Sequence, residues 1–347
     1  MRAAVLHAPS DLRVDEVPRP RPEAGEVLVQ VRACGICGSD LPRILTTGTY
    51  RFPTIPGHEL AGEVVELGQG LDERWLGARV AVVPLLPCRR CAMCGVGEYA
   101  MCSDYNFLGS RCDGGFAEYV RTPASSLIRL PDQVSYEQGA MLEPLTVALH
   151  AIQNCGVGYG DTVLVFGLGP VGNLLAQWAL ALGAGRVLGV EQNDWKRELA
   201  AARGVEVISG SDGPLAEQLL EVVGGAAVNV AFEASGFSGA LPAIMPVMAP
   251  MGTIGLVGRP AHEISLAPEY FERQLRQQVS VRGNWSFQFT DFPHHAWTTA
   301  AEAVARGDIS LDPLITHRVG LADLFGTVQA MATGGADVMK ALVLPQQ

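Results

Sequence analysis

Along roughly the first 140 positions, apolar and polar residues alternate in short runs broken by turn residues. Residues 27–31, 62–67 and 79–83 read as strands, because successive side chains of a strand point to opposite faces. Prolines at 18, 20 and 22 predict an extended connector, since each fixes its own φ and restricts the residue before it. A half built this way must close on itself or find a covering layer to protect its sheet edges. After Pro144 the pattern changes. Residues 162–166 form a compact apolar run, followed by a glycine-rich turn and the apolar stretch 171–182, long enough for a helix. A second strand is predicted over 186–190. Asp194 then stands as the cap of a helix over 195–203, which Gly204 stops. Further strands are predicted at 205–208, 228–232, 252–257 and 279–282, with helices between the first three. Such alternation implies a parallel sheet covered on both faces. A helix over 296–305 and a strand over 341–344 complete the tail. The chain reads as α/β: a β-rich domain over 1–150 and 286–347, with a doubly wound domain over 151–285 inserted into it.

Composition narrows the function classes. With 48% apolar and 18% charged residues the chain is core-rich, which excludes a disordered tail protein. The formal net charge of −11 and the lack of a basic stripe argue against nucleic acid as a partner. A mean hydropathy of +0.20 raises the question of a membrane. No apolar run approaches the ~18–20 residues a span requires, so no membrane association is expected. Met1, Arg2 and Ala3 lead straight into strand-like sequence without a signal peptide, and a cytoplasmic location is expected. Eight cysteines in a reducing compartment then need an explanation.

Four of them supply it. Cys88, Cys91, Cys94 and Cys102 fall in a fifteen-residue window with the spacing C-x2-C-x2-C-x7-C, suited to a closed tetrahedral zinc site. Thiolates also hold iron–sulfur clusters, the sharper rival to zinc for such a set. A second constellation is spread out: Cys37, the Gly57-His58-Glu59 element, and Glu143 before Pro144. A thiolate, an imidazole and carboxylates are the usual groups of catalytic zinc, which keeps one position open. Spacing alone leaves His58 equally readable as a satisfied core histidine.

Gly167-Leu168-Gly169-Pro170-Val171-Gly172 is a G-x-G-x-x-G between a strand and a helix. The glycines allow a tight turn, close approach of a pyrophosphate and close packing of helix on sheet. The helix N-terminus offers free N–H groups to phosphate. Glu191 ends the second strand nineteen residues after Gly172, where a carboxylate accepts from ribose hydroxyls and repels a 2′-phosphate. NAD is therefore expected over NADP, although Lys196 and Arg197 follow closely; Lys196 is expected along the adenine face.

These motifs, together with Cys37-Gly38-Ser39-Asp40, Asp113-Gly114-Gly115-Phe116-Ala117-Glu118-Tyr119 and Glu143-Pro144 in the same order, resemble the zinc-dependent medium-chain dehydrogenase/reductase family over essentially the whole chain. The resemblance implies a GroES-like catalytic domain, an inserted Rossmann domain and an active site in the cleft between them. It further implies a catalytic zinc held by Cys37, His58 and either Glu59 or Glu143, and a structural zinc on the four-cysteine lobe. Homodimers or homotetramers are implied as well. Residues 37–44, 83–88 and 105–111 resemble the members that oxidise galactitol 1-phosphate, so a polyol or polyol phosphate is the expected substrate. Sorbitol, threonine and butanediol stay open, as do a metal-free reductase and a non-catalytic nucleotide-binding relative.

The implied chemistry is reversible oxidation of a secondary alcohol, with hydride passing to nicotinamide and a proton leaving through Ser39. Some members continue that relay through a histidine where this chain has Pro42, so water, a ribose hydroxyl or Glu143 must take over. Asp40 is expected to tie down the zinc loop. Arg43 and Arg111 are the candidate partners of a substrate phosphate. Cys112 stands where a polar or basic residue is expected. Trp285 is expected near the nicotinamide, and His150, His294, His295 and His317 in packing or surface roles.

Overall fold

The computed structural model describes residues 1–211, 213–225, 227–288, 295–334 and 337–347. The chain divides into two compact units, Met1–Glu143 with Gln288–Gln347, and Pro144–Phe287.

The first unit is built on a largely antiparallel seven-stranded sheet among the described residues. Its centre is the strand Glu26–Gly35, which pairs with Glu59–Leu67, Tyr119–Pro123 and Lys340–Val343. Because neighbours flank it on both sides, most of its residues are buried, and Val27, Leu28, Val29, Val31 and Ala33 enter the core. The register has a consequence for chemistry. Gly35 lies opposite Glu59 on one side and Leu342 on the other. The ends of three strands, carrying Cys37, Glu59 and Lys340, thus meet at one edge of the core. Gly35 must lack a side chain there, since a Cβ would stand 2.0 Å from the Glu59 carboxylate.

The second unit is a six-stranded parallel sheet among the described residues, in the order Glu206–Ile208, Arg186–Val190, Thr162–Phe166, Val228–Glu233, Met248–Leu256, Ser280–Gly283. This is the doubly wound order, with the switch point beside Thr162–Phe166. Parallel strands are covered on both faces, which is why they are continuous apolar runs: Val163, Leu164 and Val165 have no exposure.

Two local expectations need correction. The cap of the helix Asp194–Ala201 is Asn193, not Asp194: the Asn193 side chain accepts from the Trp195 amide at 3.2 Å. Asp194 instead occupies the first turn, where its charge complements the helix dipole and pairs with Arg197. A helix, Pro268–Gln277, also lies between the last two strands, where none was expected. None of its residues is fully buried, and its half-buried face carries Tyr270 beside the polar Arg273, Gln274 and Gln277, so no apolar stripe marks it in the sequence. No helix among the described residues is long and apolar enough to cross a membrane.

Candidate active site

The strand Glu26–Gly35 delivers the chain into a tight turn at Cys37. Asp40, fully buried, accepts the Cys37 amide at 3.0 Å, and the Asp40 amide donates to the Cys37 carbonyl at 2.9 Å. The Cys37 sulfur accepts from the Ser39 hydroxyl at 3.3 Å and from the Ser39 amide at 3.5 Å. Arg43 donates to the Ser39 Oγ at 3.1 Å and lies 3.7 Å from the Asp40 carboxylate. The turn is closed on the sulfur by short-range bonds, as the sequence Cys-Gly-Ser-Asp allows.

His58 immediately precedes, and Glu59 opens, the strand Glu59–Leu67, and both are buried. One ligand atom each of Cys37, His58 and Glu59 lies within 4.8 Å of the others. His58 Nδ1 stands 3.3 Å from Asp40 Oδ1, an ion-pair distance without the alignment of a hydrogen bond. Burial pushes the imidazole down, but the Asp40 carboxylate and the Cys37 thiolate more than offset this and hold its pKa well above the ordinary value. Phe107 meets the His58 ring edge-on at 5.6 Å between centroids.

Lys340 completes the cluster, and the sequence reading missed it. Its ammonium donates to both Glu59 oxygens, at 2.8 and 2.7 Å, and to the Ile36 carbonyl at 3.2 Å, so all three N–H groups are used. Both side chains are buried, at 3% and 1% exposure. A lysine opening the apolar run Lys340–Val343 was the available signal. Glu143, also buried, is not among the mutually close ligand atoms. Burial lifts its carboxyl to a pKa of about 7, against the pull of His58.

In the cysteine lobe, ligand atoms of Cys88, Cys91, Cys94 and Cys102 also lie within 4.8 Å of one another. The Cys91 and Cys102 sulfurs are 3.9 Å apart. Tetrahedral zinc with Zn–S bonds of ~2.3 Å needs sulfurs ~3.8 Å apart, so this spacing fits. Backbone N–H groups of Cys94 and Ser103 bring the Cys91 thiol down to about 6, which favours the metal-binding thiolate.

In the second unit, Gly169 caps the helix Pro170–Ala181, which has proline in its first turn. A Cβ at Gly172 would stand 1.8 Å from the Gly167 carbonyl, so the helix can approach the turn only with glycine there. A Cβ at Gly169 would meet nothing, which leaves this face of the turn open to a phosphate. The Glu191 carboxylate accepts from the Leu168 amide at 3.1 Å and the Asn193 amide at 3.0 Å, and so stands at the mouth of the turn. Lys196 lies 5.8 Å from the Trp195 ring. Trp285 is 42% exposed beneath Arg259. His295 caps the helix Ala296–Arg306, His317 contacts the Thr316 hydroxyl, and His294 lies outside the described residues.

Residues 23–132 match the alcohol dehydrogenase GroES-like domain, and residues 170–306 match the zinc-binding dehydrogenase domain. The chain is 34% identical over 321 residues to galactitol 1-phosphate 5-dehydrogenase of Escherichia coli (strain K12), covering 92% of each. It is 29% identical to sorbitol dehydrogenase of Bacillus subtilis (strain 168), covering 100% of this chain and 98% of the other. Among solved structures, galactitol-1-phosphate dehydrogenase from Escherichia coli superimposes with a TM-score of 0.92 at 33% identity, covering 99% of this chain and 100% of that one.

Proposed function

The chain belongs to the zinc-dependent medium-chain dehydrogenase/reductase family, and from that premise we propose that it oxidises a secondary alcohol of a polyol or polyol phosphate with NAD as acceptor. The observation that carries the reading is the convergence of Cys37, His58 and Glu59 within 4.8 Å. When bound, zinc supplies a Lewis acid that acidifies an alcohol hydroxyl, and NAD supplies the hydride acceptor.

The side chains divide the remaining work. Cys37, His58 and Glu59 hold the catalytic ion, with Glu143 the alternative carboxylate. The Asp40 carboxylate, 3.3 Å from Nδ1 of His58, favours a proton on that nitrogen and would leave the other ring nitrogen for an ion. Lys340 holds Glu59 through both oxygens and the Ile36 carbonyl beside Cys37, so one ammonium keeps two ligand-bearing segments in register. Ser39 places its hydroxyl between Cys37 and Arg43 and is the first group that can pass a proton outward. Pro42 cannot continue that path. The Glu143 carboxylate, poised near 7, can hold the proton instead. Cys88, Cys91, Cys94 and Cys102 hold the structural ion.

On the nucleotide side, the open turn at Gly169 receives the pyrophosphate. Glu191 accepts from the ribose hydroxyls, and its charge disfavours a 2′-phosphate.

The test is metal analysis joined to an NADH-absorbance assay over a polyol panel. Two zinc ions per chain are expected. Chelation should stop turnover and zinc should restore it. Full activity in metal-free enzyme would instead favour a metal-free reductase. Two bound zincs and bound NAD with no turnover on any alcohol would favour the non-catalytic relative.

A further inference from the structure

The first unit contains a cavity of about 560 Å³ lined in part by Arg51, Leu108, Arg111, Cys112, Asp113 and Arg121. None of the metal-cluster residues lines it. Its charges are mostly consumed by one another. Arg51 pairs with Asp113 at 3.0 Å. Arg121 pairs with Glu23 at 2.5 Å and with Glu26 at 3.4 Å.

Arg111 differs. Its guanidinium carbon lies 4.2 Å from the Tyr50 ring centroid and 4.4 Å from that of Tyr105. Ring stacking covers the faces of a guanidinium but leaves its N–H donors, which lie in the guanidinium plane, without acceptors. The Arg111 Nε is buried with no hydrogen-bond partner among the described residues. Nε is closed off from solvent, so the terminal N–H groups of this cavity-lining residue are the donors that can take an oxyanion bidentately. Arg43, the other candidate for this role, is committed to Ser39 and Asp40.

We propose that this cavity is an oxyanion site in which Arg111, held by Tyr50 and Tyr105, receives the phosphate group of a phosphate monoester. Two sources share this chemistry: the phosphate of the substrate itself, which rests on the function proposed above, or a separate phosphorylated ligand.

The experiment compares zinc-loaded wild type with R111Q and R111K by isothermal titration with inorganic phosphate. The ratio of kcat/KM for galactitol 1-phosphate over galactitol is measured in parallel. Phosphate binding in wild type that weakens at least about tenfold in R111Q (about 1.4 kcal/mol), and is partly kept in R111K, supports the site. A matching fall in the kinetic ratio assigns the phosphate to the substrate. An unchanged ratio assigns it to a separate ligand. Equal phosphate binding in wild type and R111Q, or none in wild type, overturns the proposal. Unchanged zinc content and melting temperature in phosphate-free buffer show that the variants are folded. The titration stands by itself: should no polyol be oxidised, the proposed activity fails while phosphate binding still decides the site.

Discussion

Replacing Lys340 by methionine isolates what the buried ammonium does. The substitution keeps length and apolar bulk but leaves the Glu59 carboxylate, 1% exposed, without its partner. Two unit charges 2.7 Å apart attract by about 6 kcal/mol at an effective dielectric near 20, and much of that offsets the cost of burying them. Removing one member of such a pair costs about 3–5 kcal/mol, because the other charge remains buried and unpaired. Replacing both members by apolar residues is often nearly neutral, so K340M/E59L should recover most of the loss.

Hydrogen exchange on the metal-stripped full-length protein reads this locally, at the amides of Lys340–Val343 and Glu59–Leu67. A loss of 3–5 kcal/mol accelerates exchange by about two to three and a half decades. Zinc should shrink the effect of K340M, since a cation then faces the same carboxylate. A single variant within about 1 kcal/mol of wild type, or a double variant no better than the single, would refute the reasoning.

Two further outcomes follow from the geometry. Glu191→Ala should raise KM for NAD more than for NADP, because it removes both a ribose acceptor and a charge that repels the 2′-phosphate; an unchanged ratio of the two constants would remove the specificity argument. In metal-free protein the His58 imidazole is raised above its unfolded value of about 6.5. Its stabilising contribution should therefore be complete below about pH 6.5 and fade as pH rises through the raised folded value. The gap in urea midpoint between stripped wild type and His58→Gln should narrow toward alkaline pH, and a gap that widens there would contradict the assignment.

Legibility in the sequence followed distance along the chain. The glycine turn, the strands of the parallel sheet and the four-cysteine spacing are local patterns, and local sterics or ligand spacing determines them. The second constellation could be named residue by residue, but not as a geometry, because strand register brings Gly35, Glu59 and Leu342 side by side. Lys340 escaped notice for the same reason: its partner is 281 residues away. The helix Pro268–Gln277 was hidden because hydrophobic periodicity records apolar burial, and of its half-buried residues only Tyr270 packs a ring against the core. Asp194 and Asn193 are both good caps by composition, so only the side-chain bond could separate them. Arg43 and Arg111 stood level in the sequence; the structure separates a committed guanidinium from an unsatisfied one.

The strand ends that meet at Gly35 also set a schedule for metal loading. The cysteine lobe is complete once residue 102 has emerged, so it can capture its ion while synthesis continues. The other centre must wait for Lys340, after the whole of Pro144–Phe287 has been made. Until then Glu59 lacks the ammonium of Lys340, although Cys37 and His58 are already present beside it. Chain order thus presents every thiol of the lobe long before the ammonium that neutralises Glu59.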